Sequence, residues 1–335
     1  MEQPPPPVQM VQLLAGFQVS QALYVAARIG LPDQLLGVPR QMTDVATTLG
    51  ADPDALCRLA RVLTGLGVLT EESPGTFALT PLGRTLTSEE PGSMRDLALM
   101  WMETHYAPFA GLLDTVRTGR SAAETYYGQP FFTWLAGQPE QVSRFTGAMA
   151  NLTNGIKLGA IAGRDFSESH RIVDVGGADG RLLSHVLARL PVATGVSYDL
   201  PHVVGAVERV AKETDLDGRL TGEGGDFFES VPAGADTYLL SMVLHDWDDE
   251  RATRILANIA AAADSGARVC ALELVLPDGD EPHMSKMIDL TMLGMLDGRE
   301  RTEPEMRALV EAAGLRYEAT VGTPTPLSFI EARVP

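Results

Sequence analysis

A histidine that carboxylates could make more basic is the clearest sign of chemistry in this sequence. His245 lies in the segment LLSMVLHDWDD, which is predicted to pass from a strand into a helix. Glu273 lies in the apolar run ALELVL, where a carboxylate is costly unless it has a partner. Glu300 has no local structural explanation, unlike Glu305, which completes a capping box with Thr302. Carboxylates beside an imidazole fix its tautomer and raise its basicity, so these residues predict a general base that removes a hydroxyl proton.

The other acids near this histidine have a simpler explanation. Asp246, Asp248 and Asp249 collect where a helix begins, and the helix dipole favours negative charge there. His245 alone would more often be an ordinary hydrogen-bonded polar side chain. The prediction of a base therefore depends on the two glutamates.

A glycine-rich turn indicates a ligand that approaches the backbone closely. The segment DVGGADG, residues 174–180, follows a short apolar strand and opens a helix. After Gly176 and Gly177, an NAD fingerprint would need glycines where Ala178 and Arg181 stand. The pattern therefore weakens a dinucleotide interpretation, and alone it is a weak signal that a plain strand-to-helix turn also explains.

Two more candidate sites follow predicted strands. Asp199 ends the next strand, where a carboxylate can accept both hydroxyls of a ribose. In the segment GDFF, Asp226 could accept the amino group of an adenine, and Phe227 could pack on its ring. A helix cap explains Asp199 alone equally well, and core packing explains Phe227 alone better. Because these sites and the glycine turn all follow strand ends, where open α/β sheets bind ligands, together they favour a nucleotide-like ligand.

The elements predicted around these residues belong to two kinds of structure. Residues 8–29 are predicted to form one helix that is buried on several sides. Residues 43–80 show the order helix, helix, strand, turn, strand, which is typical of a winged-helix unit. Residues 93–165 are predicted to be helical and carry most of the aromatic side chains. From residue 171, short apolar strands alternate with helices, which predicts an α/β fold with a doubly wound parallel sheet.

Composition restricts the class of protein. The 335 residues, of which 45% are hydrophobic and 21% charged, predict a globular chain of two domains. No apolar run reaches the ~18 residues of a membrane span, and the start of the chain does not resemble a signal peptide. Only two cysteines are present, which predicts the reducing cytoplasm. The net charge of −18 disfavours nucleic acids and anionic membranes as partners, and the scattered histidines outside the base predict no metal site.

Taken together, the motifs resemble those of the S-adenosylmethionine-dependent O-methyltransferases of plants and actinobacterial secondary metabolism, which act on small molecules. The motifs are VDVGGADG (173–180), YDLPHVV (198–204), GDFF (225–228), LHDWDDE (244–250) and GRERTEPE (298–305). The resemblance covers nearly the whole chain. It implies a winged-helix dimerisation domain at 1–92 that does not bind DNA, a helical connector at 93–165 that contributes to the substrate pocket, and a Rossmann-like catalytic domain at 166–335.

The same resemblance implies roles for individual residues. S-adenosylmethionine, which leaves as S-adenosylhomocysteine, would be bound by Gly176, Gly177, Asp199, Leu200, Gly225, Asp226, Phe227 and Ser241. His245 would be the general base, flanked by Glu273 and Glu300, in an in-line methyl transfer to a hydroxyl of a small aromatic natural product. One departure is Ala178, which replaces the usual third glycine and could crowd the cofactor.

Candidate substrate residues come from two sources. Met149 is implied by the resemblance. Methionine and aromatic linings suit flat apolar ligands, and this favours Met292, Trp101, Tyr106 and Phe145. Met292 shares a predicted helical face with other apolar residues, and ordinary core packing explains that face equally well.

Two other functions remain open. A family member could bind the cofactor yet hydroxylate or decarboxylate its substrate, although the retained His245 argues against this. A winged-helix transcription regulator could use residues 52–66 as a recognition helix. That segment carries Arg58 and Arg61, but it also carries acids on an acidic chain. A homodimer is expected in either case, because the helix at 8–29 has more apolar faces than a small domain can cover.

Overall fold

The computed structural model describes residues 4–335, so the first three residues of the predicted domain 1–92 lie outside the described residues. The α-helices are α1 (Pro6–Leu14), α2 (Gly16–Ile29), α3 (Leu31–Gln34), α4 (Met42–Leu49), α5 (Pro53–Gly65), α6 (Pro81–Arg84), α7 (Arg95–Met100), α8 (Leu112–Thr118), α9 (Ala122–Tyr127), α10 (Phe131–Ala136), α11 (Pro139–Leu152), α12 (Leu158–Ala162), α13 (Arg181–Leu187), α14 (Val207–Glu213), α15 (Asp249–Ala262), α16 (Met284–Met295) and α17 (Glu303–Ala312). The strands are β1 (Arg40–Gln41), β2 (Leu69–Ser73), β3 (Thr76–Leu79), β4 (Arg171–Val175), β5 (Thr194–Asp199), β6 (Leu220–Gly224), β7 (Thr237–Ser241), β8 (Arg268–Leu276), β9 (Arg301–Thr302), β10 (Arg316–Gly322) and β11 (Leu327–Arg333). Short π-helices span Trp101–His105 and Thr153–Lys157, and short 3-10 helices span Pro108–Gly111, Val204–Ala206 and Leu244–Asp246.

The described residues form two compact units. The first comprises the residues up to Ala107 together with Leu135–Gly155, and the second comprises Pro108–Trp134 together with Ile156–Pro335. The connector predicted at 93–165 is therefore shared between the two units rather than forming a body of its own. The three predicted domain ranges stay predictions.

The first unit contains the order of elements predicted for residues 43–80. Helices α4 and α5 precede the hairpin of β2 and β3, and β1 completes a three-stranded sheet of order β1-β3-β2. Asp52 caps α5 as predicted, because its carboxylate accepts a hydrogen bond from the amide of Ala55 at 2.8 Å. Buried side chains of these helices pack with Phe77 of β3 to form the core of the unit.

The prediction of one buried helix over residues 8–29 is wrong. The chain forms α1 and α2, which are bent by 41° at a break around Ala15. The following Gly16 favours such a break because glycine lowers the stability of a helix interior. None of the residues of α1 is buried, and Leu13 and Phe17 are 73% and 56% exposed. The apolar character of α1 therefore belongs to a surface that this single chain leaves uncovered.

Within residues 4–335, no single helix is both long and apolar enough to cross a membrane. The bent pair α1 and α2 meets the requirement only when the two helices are counted together, by length and composition alone.

The second unit is built on an eight-stranded sheet of order β10-β11-β8-β7-β4-β5-β6, with β9 beside β8. Strands β4 to β8 run parallel to one another. The chain moves outward from β4 to β5 and β6, then crosses back to β7 on the other side of β4. Open α/β sheets bind ligands where the strand order reverses in this way. The predicted doubly wound α/β fold is confirmed.

One edge of the sheet departs from the predicted parallel arrangement. Strands β10 and β11 form an antiparallel hairpin, and β11 pairs antiparallel with β8. Antiparallel edge strands are common on otherwise parallel sheets, so the departure leaves the fold class unchanged.

Helices cover both faces of the sheet. Alternate residues of a strand point to opposite faces, and those of β4 enter different apolar clusters. Val173 and Val175 pack with buried residues of α15 and α17, whereas Ile172 packs with those of α13 and α14. The carboxyl edge of the parallel strands is therefore supported from two layers.

Candidate active site

Close packing around the turn after β4 leaves no room for a side chain at Gly176 or Gly177. The amides of Gly176 and Gly177 donate to the carbonyl oxygen of Tyr198, at 2.8 and 3.3 Å. A Cβ atom on Gly176 would meet Val243 at 2.7 Å, and one on Gly177 would meet Ser197 at 2.5 Å. The absence of a side chain at these two positions lets the ends of three neighbouring strands lie close together.

Ala178 adopts a left-handed conformation with φ of 49°, which costs residues with a side chain more than it costs glycine. Its amide donates to Oδ2 of Asp199 at 3.0 Å, and its carbonyl oxygen accepts from the hydroxyl of Ser197 at 3.2 Å. The turn therefore keeps hydrogen bonds on both sides of the residue that replaces the third glycine.

Asp199, at the end of β5, is held in place by backbone amides. Its Oδ1 accepts from the amide of Leu200 at 2.7 Å, and its Oδ2 accepts from Ala178. Burial raises the pKa of Asp199, and these two hydrogen bonds oppose that rise. Each carboxylate oxygen keeps a further lone pair for a ligand hydroxyl. Leu200 is 45% exposed beside it, and the amide of Gly225 donates to the carbonyl oxygen of Asp199 at 2.9 Å. The structure thus brings together the cofactor residues predicted at these three strand ends.

Asp226 and Phe227 follow β6 in a turn that they also stabilise. Oδ1 of Asp226 accepts from the amide of Phe228 at 2.8 Å. The ring of Phe227 packs edge-on against Phe228 and Trp247, with ring centroids 4.9 and 6.1 Å apart. Asp226 is exposed and Phe227 is half-buried, so both keep surface for a ligand. Their role in binding adenine stays a prediction.

Unpaired polar groups are buried at the carboxyl ends of β4 and β7. Both carboxylate oxygens of Asp174 and the hydroxyl of Ser241 lack a hydrogen-bond partner among the described residues. The buried Lys157 donates to the carbonyl oxygen of Ser241 at 3.3 Å. Burial raises the pKa of Asp174 to about 7, and the positive charge of Lys157 opposes that rise. Buried polar groups are normally paired, so this set fits a cofactor with a charged end, such as S-adenosylmethionine.

The chain leaves β7 through a strained turn that presents His245. Met242 is left-handed, with φ of 56°, a conformation that costs about 1–3 kcal/mol. The fully buried Glu273 accepts from the amides of Val243 and Leu244, at 3.0 and 2.9 Å. Glu273 therefore fixes the backbone that carries His245, rather than binding the imidazole as its predicted flanking position suggests.

His245 and Glu300 form a buried hydrogen bond. Nδ1 of the imidazole lies 2.7 Å from Oε1 of Glu300, and Nε2 lies 3.5 Å from Oδ1 of Asp246. Burial lowers the pKa of His245, but the carboxylates of Asp246, Glu300 and Glu273 together outweigh this and raise it to about 10. Because Nδ1 donates to Glu300, Nε2 is the ring atom that can accept a proton.

Arg301 holds the same turn from its other side. The side chain is fully buried, and its guanidinium donates to the carbonyl oxygens of Leu244 and Trp247, at 2.9 and 2.8 Å. It also donates to Oδ1 of Asp249, in the first turn of α15, at 2.8 Å. Buried charged side chains therefore bind both the amide and the carbonyl groups of the backbone around the histidine.

The predicted substrate residues lie in both units. Met292 belongs to the second unit and is 8% exposed on α16. The same helix carries Asp289, whose Oδ1 accepts from the amide of Glu300 at 2.9 Å. The first unit contains Met149, Trp101, Tyr106 and Phe145. Trp101 and Tyr106 are 39% and 42% exposed, and contact with a substrate stays a prediction for all five.

Lys157, Asp174 and Arg301 are functional candidates that the sequence analysis does not single out. Lys157 is one of three lysines in the chain and interrupts an otherwise apolar stretch at 155–162. A lysine inside an apolar stretch is a sequence feature that could have identified it as a candidate. Asp174 begins the glycine motif without a separate clue to its burial. Arg299 and Arg301 lie two positions apart in the sequence. Residue type alone does not show that Arg301 is buried and Arg299 exposed.

The arrangement can accept a proton and stabilise the charge that results. Nε2 of His245 is the acceptor, and Glu300 lies on the opposite side of the ring to balance an imidazolium. Within the described range 4–335, no group of three or more His, Cys, Asp or Glu side chains is placed to hold a metal ion. The expectation of a metal-free reaction stays a prediction.

Comparison with known proteins gives full-length relatives. The chain is 39% identical to the phenazine O-methyltransferase PhzM of Lysobacter antibioticus, over 97% of this chain and 95% of that protein. It is 35% identical to the O-demethylpuromycin-O-methyltransferase of Streptomyces alboniger, over 97% and 88%. It is also 33% identical to the aclacinomycin 10-hydroxylase RdmB of Streptomyces purpurascens, over 96% and 88%.

Solved structures of methyltransferases match this chain over nearly its whole length. The crystal structure of LaPhzM matches with a TM-score of 0.93 and 38% identity, over 99% of this chain and 100% of that chain. The methyltransferase CalO1 of calicheamicin biosynthesis, in its form with bound S-adenosylhomocysteine, matches with a TM-score of 0.89 and 32% identity, over 100% of both chains. The cofactor predicted for the family is thereby confirmed at the level of the family.

Two family models match the chain. An O-methyltransferase domain matches residues 109–316, and an O-methyltransferase dimerisation domain matches residues 11–89. The chain therefore belongs to the O-methyltransferase family, and the family recognised from the five motifs is confirmed.

Proposed function

We propose that this chain transfers the methyl group of S-adenosylmethionine to a hydroxyl of a small aromatic molecule. The buried hydrogen bond between His245 and Glu300, at 2.7 Å, carries the proposal. Nε2 of His245 takes the proton of the substrate hydroxyl, and Glu300 stabilises the resulting imidazolium. The relatives named for phenazine and O-demethylpuromycin support an aromatic substrate.

The bound cofactor supplies an electrophilic methyl group on a positively charged sulfur. We assign its binding to Gly176, Gly177, Asp199, Leu200, Gly225, Asp226, Phe227 and Ser241. Asp199 holds the ribose hydroxyls. Backbone amides fix the orientation of both carboxylate oxygens, and each oxygen keeps a lone pair that can accept a hydrogen bond from the ribose. Asp226 and Phe227 contact the adenine. Most of the acceleration comes from placing the hydroxyl and the methyl group in line.

The protonation state of the base sets a condition on this mechanism. The pKa of His245 is raised to about 10 by its carboxylate neighbours, so the imidazole is charged at neutral pH in the free protein. Positive charge brought close to the ring lowers that pKa. The base therefore becomes competent when a cationic ligand occupies the site.

Calorimetric titration with S-adenosylhomocysteine tests the cofactor assignment without a known substrate. Saturable binding near one per chain is expected, and Asp199→Ala should weaken it by ~10- to 100-fold, the loss typical of hydrogen bonds to a charged group. The exposed Asp217→Ala serves as a matched control and should bind like the wild type. Failure of the wild-type protein to bind would contradict the proposal.

Methyl transfer itself is tested by incubating the protein with S-adenosylmethionine and a panel of phenols, then measuring product masses. His245→Ala should lose ~10²–10⁴ in rate yet bind S-adenosylhomocysteine as the wild type does. The matched control His170→Ala removes an exposed imidazole and should keep full activity. Undiminished turnover in His245→Ala would mean that another group is the base.

A hydroxylating reaction is the second candidate, because one relative is named as a hydroxylase. The same product masses separate the two reactions, since methylation adds a methyl group and hydroxylation adds an oxygen atom. The paired base favours methyl transfer, because an imidazole held by a buried carboxylate suits removal of a hydroxyl proton. A transcription regulator is not proposed, because residues 11–89 match a dimerisation domain of this family.

The dimerisation domain supports a homodimer. We assign the contact to the exposed apolar side chains of α1 and the start of α2, which include Leu13, Leu14 and Phe17. Contiguous exposed apolar surface of this kind marks interaction sites. The substrate residues are tested one at a time, and alanine at Met149, Met292, Trp101, Tyr106 or Phe145 should raise KM more than it lowers kcat.

A further inference from the structure

Asp289 lies in the middle of an α-helix, where an aspartate is unfavourable. It is the sixth of the twelve residues of α16. Aspartate has one of the lower helix propensities, and this position lies beyond the first turn, where the helix dipole would favour its charge. Asp289 is also half-buried, so a tertiary contact has to account for it.

That contact is a hydrogen bond to the residue that holds the base. Oδ1 of Asp289 accepts from the amide of Glu300 at 2.9 Å. Residues 296–299 connect α16 to Glu300, and none of these four is buried. Gly298 packs against the turn of the base, because a Cβ atom there would collide with the carbonyl oxygen of His245. The hydrogen bond therefore closes an otherwise exposed connection at the point where it reaches the site.

The side chain of Glu300 is held through only one of its oxygens. Oε1 lies 2.7 Å from Nδ1 of His245, whereas the buried Oε2 has no hydrogen-bond partner among the described residues. The orientation of the carboxylate therefore depends on the backbone that carries it. After Glu300, the pairing of Arg301 with Val275 of β8 fixes that backbone. Before it, the hydrogen bond to Asp289 does so.

These contacts form a chain from α16 to the base, in which Asp289 holds the amide of Glu300 and Glu300 holds Nδ1 of His245. We infer that Asp289 is a positioning residue for the base, which acts through the backbone of Glu300 without touching the reacting atoms. A misplacement of about 1 Å can cost ~100-fold in rate, so loss of this hydrogen bond slows turnover. This inference rests on the proposed function, because that function makes His245 the base.

The same helix carries a residue with a different task. Met292, which we assign to the substrate, follows Asp289 by three positions, and residues three apart lie on the same side of a helix. One face of α16 thus serves both binding and orientation. Alanine at Met292 is expected to raise KM, whereas alanine at Asp289 should lower kcat.

Two substitutions separate the hydrogen bond from the charge. Asp289→Ala removes the acceptor without weakening α16, because alanine has the highest helix propensity. It should lower kcat by ~10- to 100-fold and change KM little. Asp289→Asn keeps a side-chain oxygen that can accept from the amide of Glu300 and should restore most of kcat. The matched control Asp297→Ala removes an exposed carboxylate from the same connection and should keep wild-type rates.

A double-mutant cycle shows whether Asp289 acts through Glu300. In that case Asp289→Ala should slow Glu300→Ala far less than it slows the wild type, because the contact that Asp289 supports is already lost. If the two rate losses multiply, Asp289 acts independently of Glu300 and the inference is overturned.

A second measurement does not depend on turnover. NMR of the free protein with isotope-labelled histidine follows the titration of His245, whose signals are identified by their loss in His245→Gln. Burial lowers the pKa of His245, and the carboxylates of Asp246, Glu300 and Glu273 together raise it to about 10. This pKa should fall in Asp289→Ala, because Glu300 is held less firmly beside the ring. It should stay at the wild-type value in Asp289→Asn.

The outcomes separate this inference from the proposed function. If the wild type methylates no phenol, the proposed function fails, and the NMR titration alone decides whether Asp289 positions His245. If the wild type is active and Asp289→Ala keeps both kcat and the pKa of His245, the inference is wrong while the proposed function stands. Equal losses in Asp289→Ala and Asp289→Asn would also overturn it, because the charge of Asp289 rather than its hydrogen bond would then matter.

Discussion

Nδ1 of His245 lies 2.7 Å from Oε1 of Glu300, and the two residues are 4% and 0% exposed. A short hydrogen bond between a buried imidazole and a buried carboxylate ties the protonation of one group to the charge of the other. Burial lowers the pKa of His245, but the carboxylates of Asp246, Glu300 and Glu273 together raise it to about 10.

Glu300→Gln should move the pH dependence of methyl transfer. Only the neutral imidazole can accept a proton, so kcat/KM of the wild type should rise with pH through the pKa of His245, which bound S-adenosylmethionine holds below the value of about 10 in the free protein. Removing the charge of Glu300 lowers the pKa of His245, and the rise should shift to lower pH by ~1–3 units, with a smaller limiting rate. Initial rates measured from pH 6 to 10 would show this, and an unmoved midpoint would mean that the rise belongs to another group.

The same pKa predicts how stability depends on pH. The pKa of about 10 in the folded state lies above the value of ~6.5 for an unfolded histidine. The charged imidazole therefore stabilises the fold fully below about pH 6.5, and this contribution is lost as the pH rises through 10. Urea unfolding at several pH values should show a steeper loss between pH 7 and 10 in the wild type than in His245→Gln. Parallel losses in the two proteins would contradict the assignment.

Arg301→Met should destabilise the fold and slow the reaction. The change leaves the carbonyl oxygens of Leu244 and Trp247 buried without their donors, at a cost of about 1–3 kcal/mol each. Urea unfolding should show a loss of about 2–5 kcal/mol, and kcat should fall more than KM rises. The control Arg307→Met removes an exposed ion pair with Glu311 and should cost less than ~0.5 kcal/mol. Equal costs for the two variants would mean that Arg301 does not support the turn.

Ala178→Gly should stabilise the protein. The left-handed φ of 49° at Ala178 costs an alanine about 1–2 kcal/mol, and the greater freedom of glycine in the unfolded chain offsets part of the gain. The free energy of unfolding should therefore rise by ~0.5–1 kcal/mol. Ala308→Gly, in the exposed interior of α17, should have the opposite sign and cost ~0.5–1 kcal/mol. If both variants lose stability, the turn is not strained by its alanine.

Acidic substitutions in α1 and at the start of α2 should disrupt the homodimer. Leu13 is 73% exposed and Phe17 is 56% exposed, so a charge at either position lies on the apolar surface assigned to the contact. Light scattering should give a dimer mass for the wild type and a monomer mass for Leu13→Glu combined with Phe17→Glu. Val192 is 82% exposed but lies in the second unit, and Val192→Glu should leave the dimer intact. A wild-type monomer would rule out the assignment.

Much of the site could be predicted because it follows one rule of parallel sheets. The carboxyl ends of parallel strands share one edge, so side chains just after β4, β5 and β6 had to lie together. The hydrogen bonds from Ala178 and Gly225 to Asp199 confirm that expectation. Charge patterning likewise indicated Glu300, since no local structure explained it.

The remaining residues depend on contacts that no local pattern records. Glu273 was predictable as a buried carboxylate, but its partners are the amides of Val243 and Leu244, which a strained turn exposes. Lys157 reaches the site from a helix far earlier in the chain. The apolar pattern also fails to predict the break at Ala15. The helical periodicity of apolar residues continues through a bent pair of helices, while the direction of the helix axis changes.

Backbone groups on both sides of His245 are bound by buried charged side chains, through Glu273 at the amides and Arg301 at the carbonyls. Amide protons held in this way exchange with solvent only when the surrounding structure opens. The amides of Val243 and Leu244 should therefore be among the slowest to exchange deuterium in the chain. A base that is held by backbone which opens this slowly keeps its orientation over many turnovers. Adaptation to substrates of different shape therefore has to come from parts of the chain other than this turn.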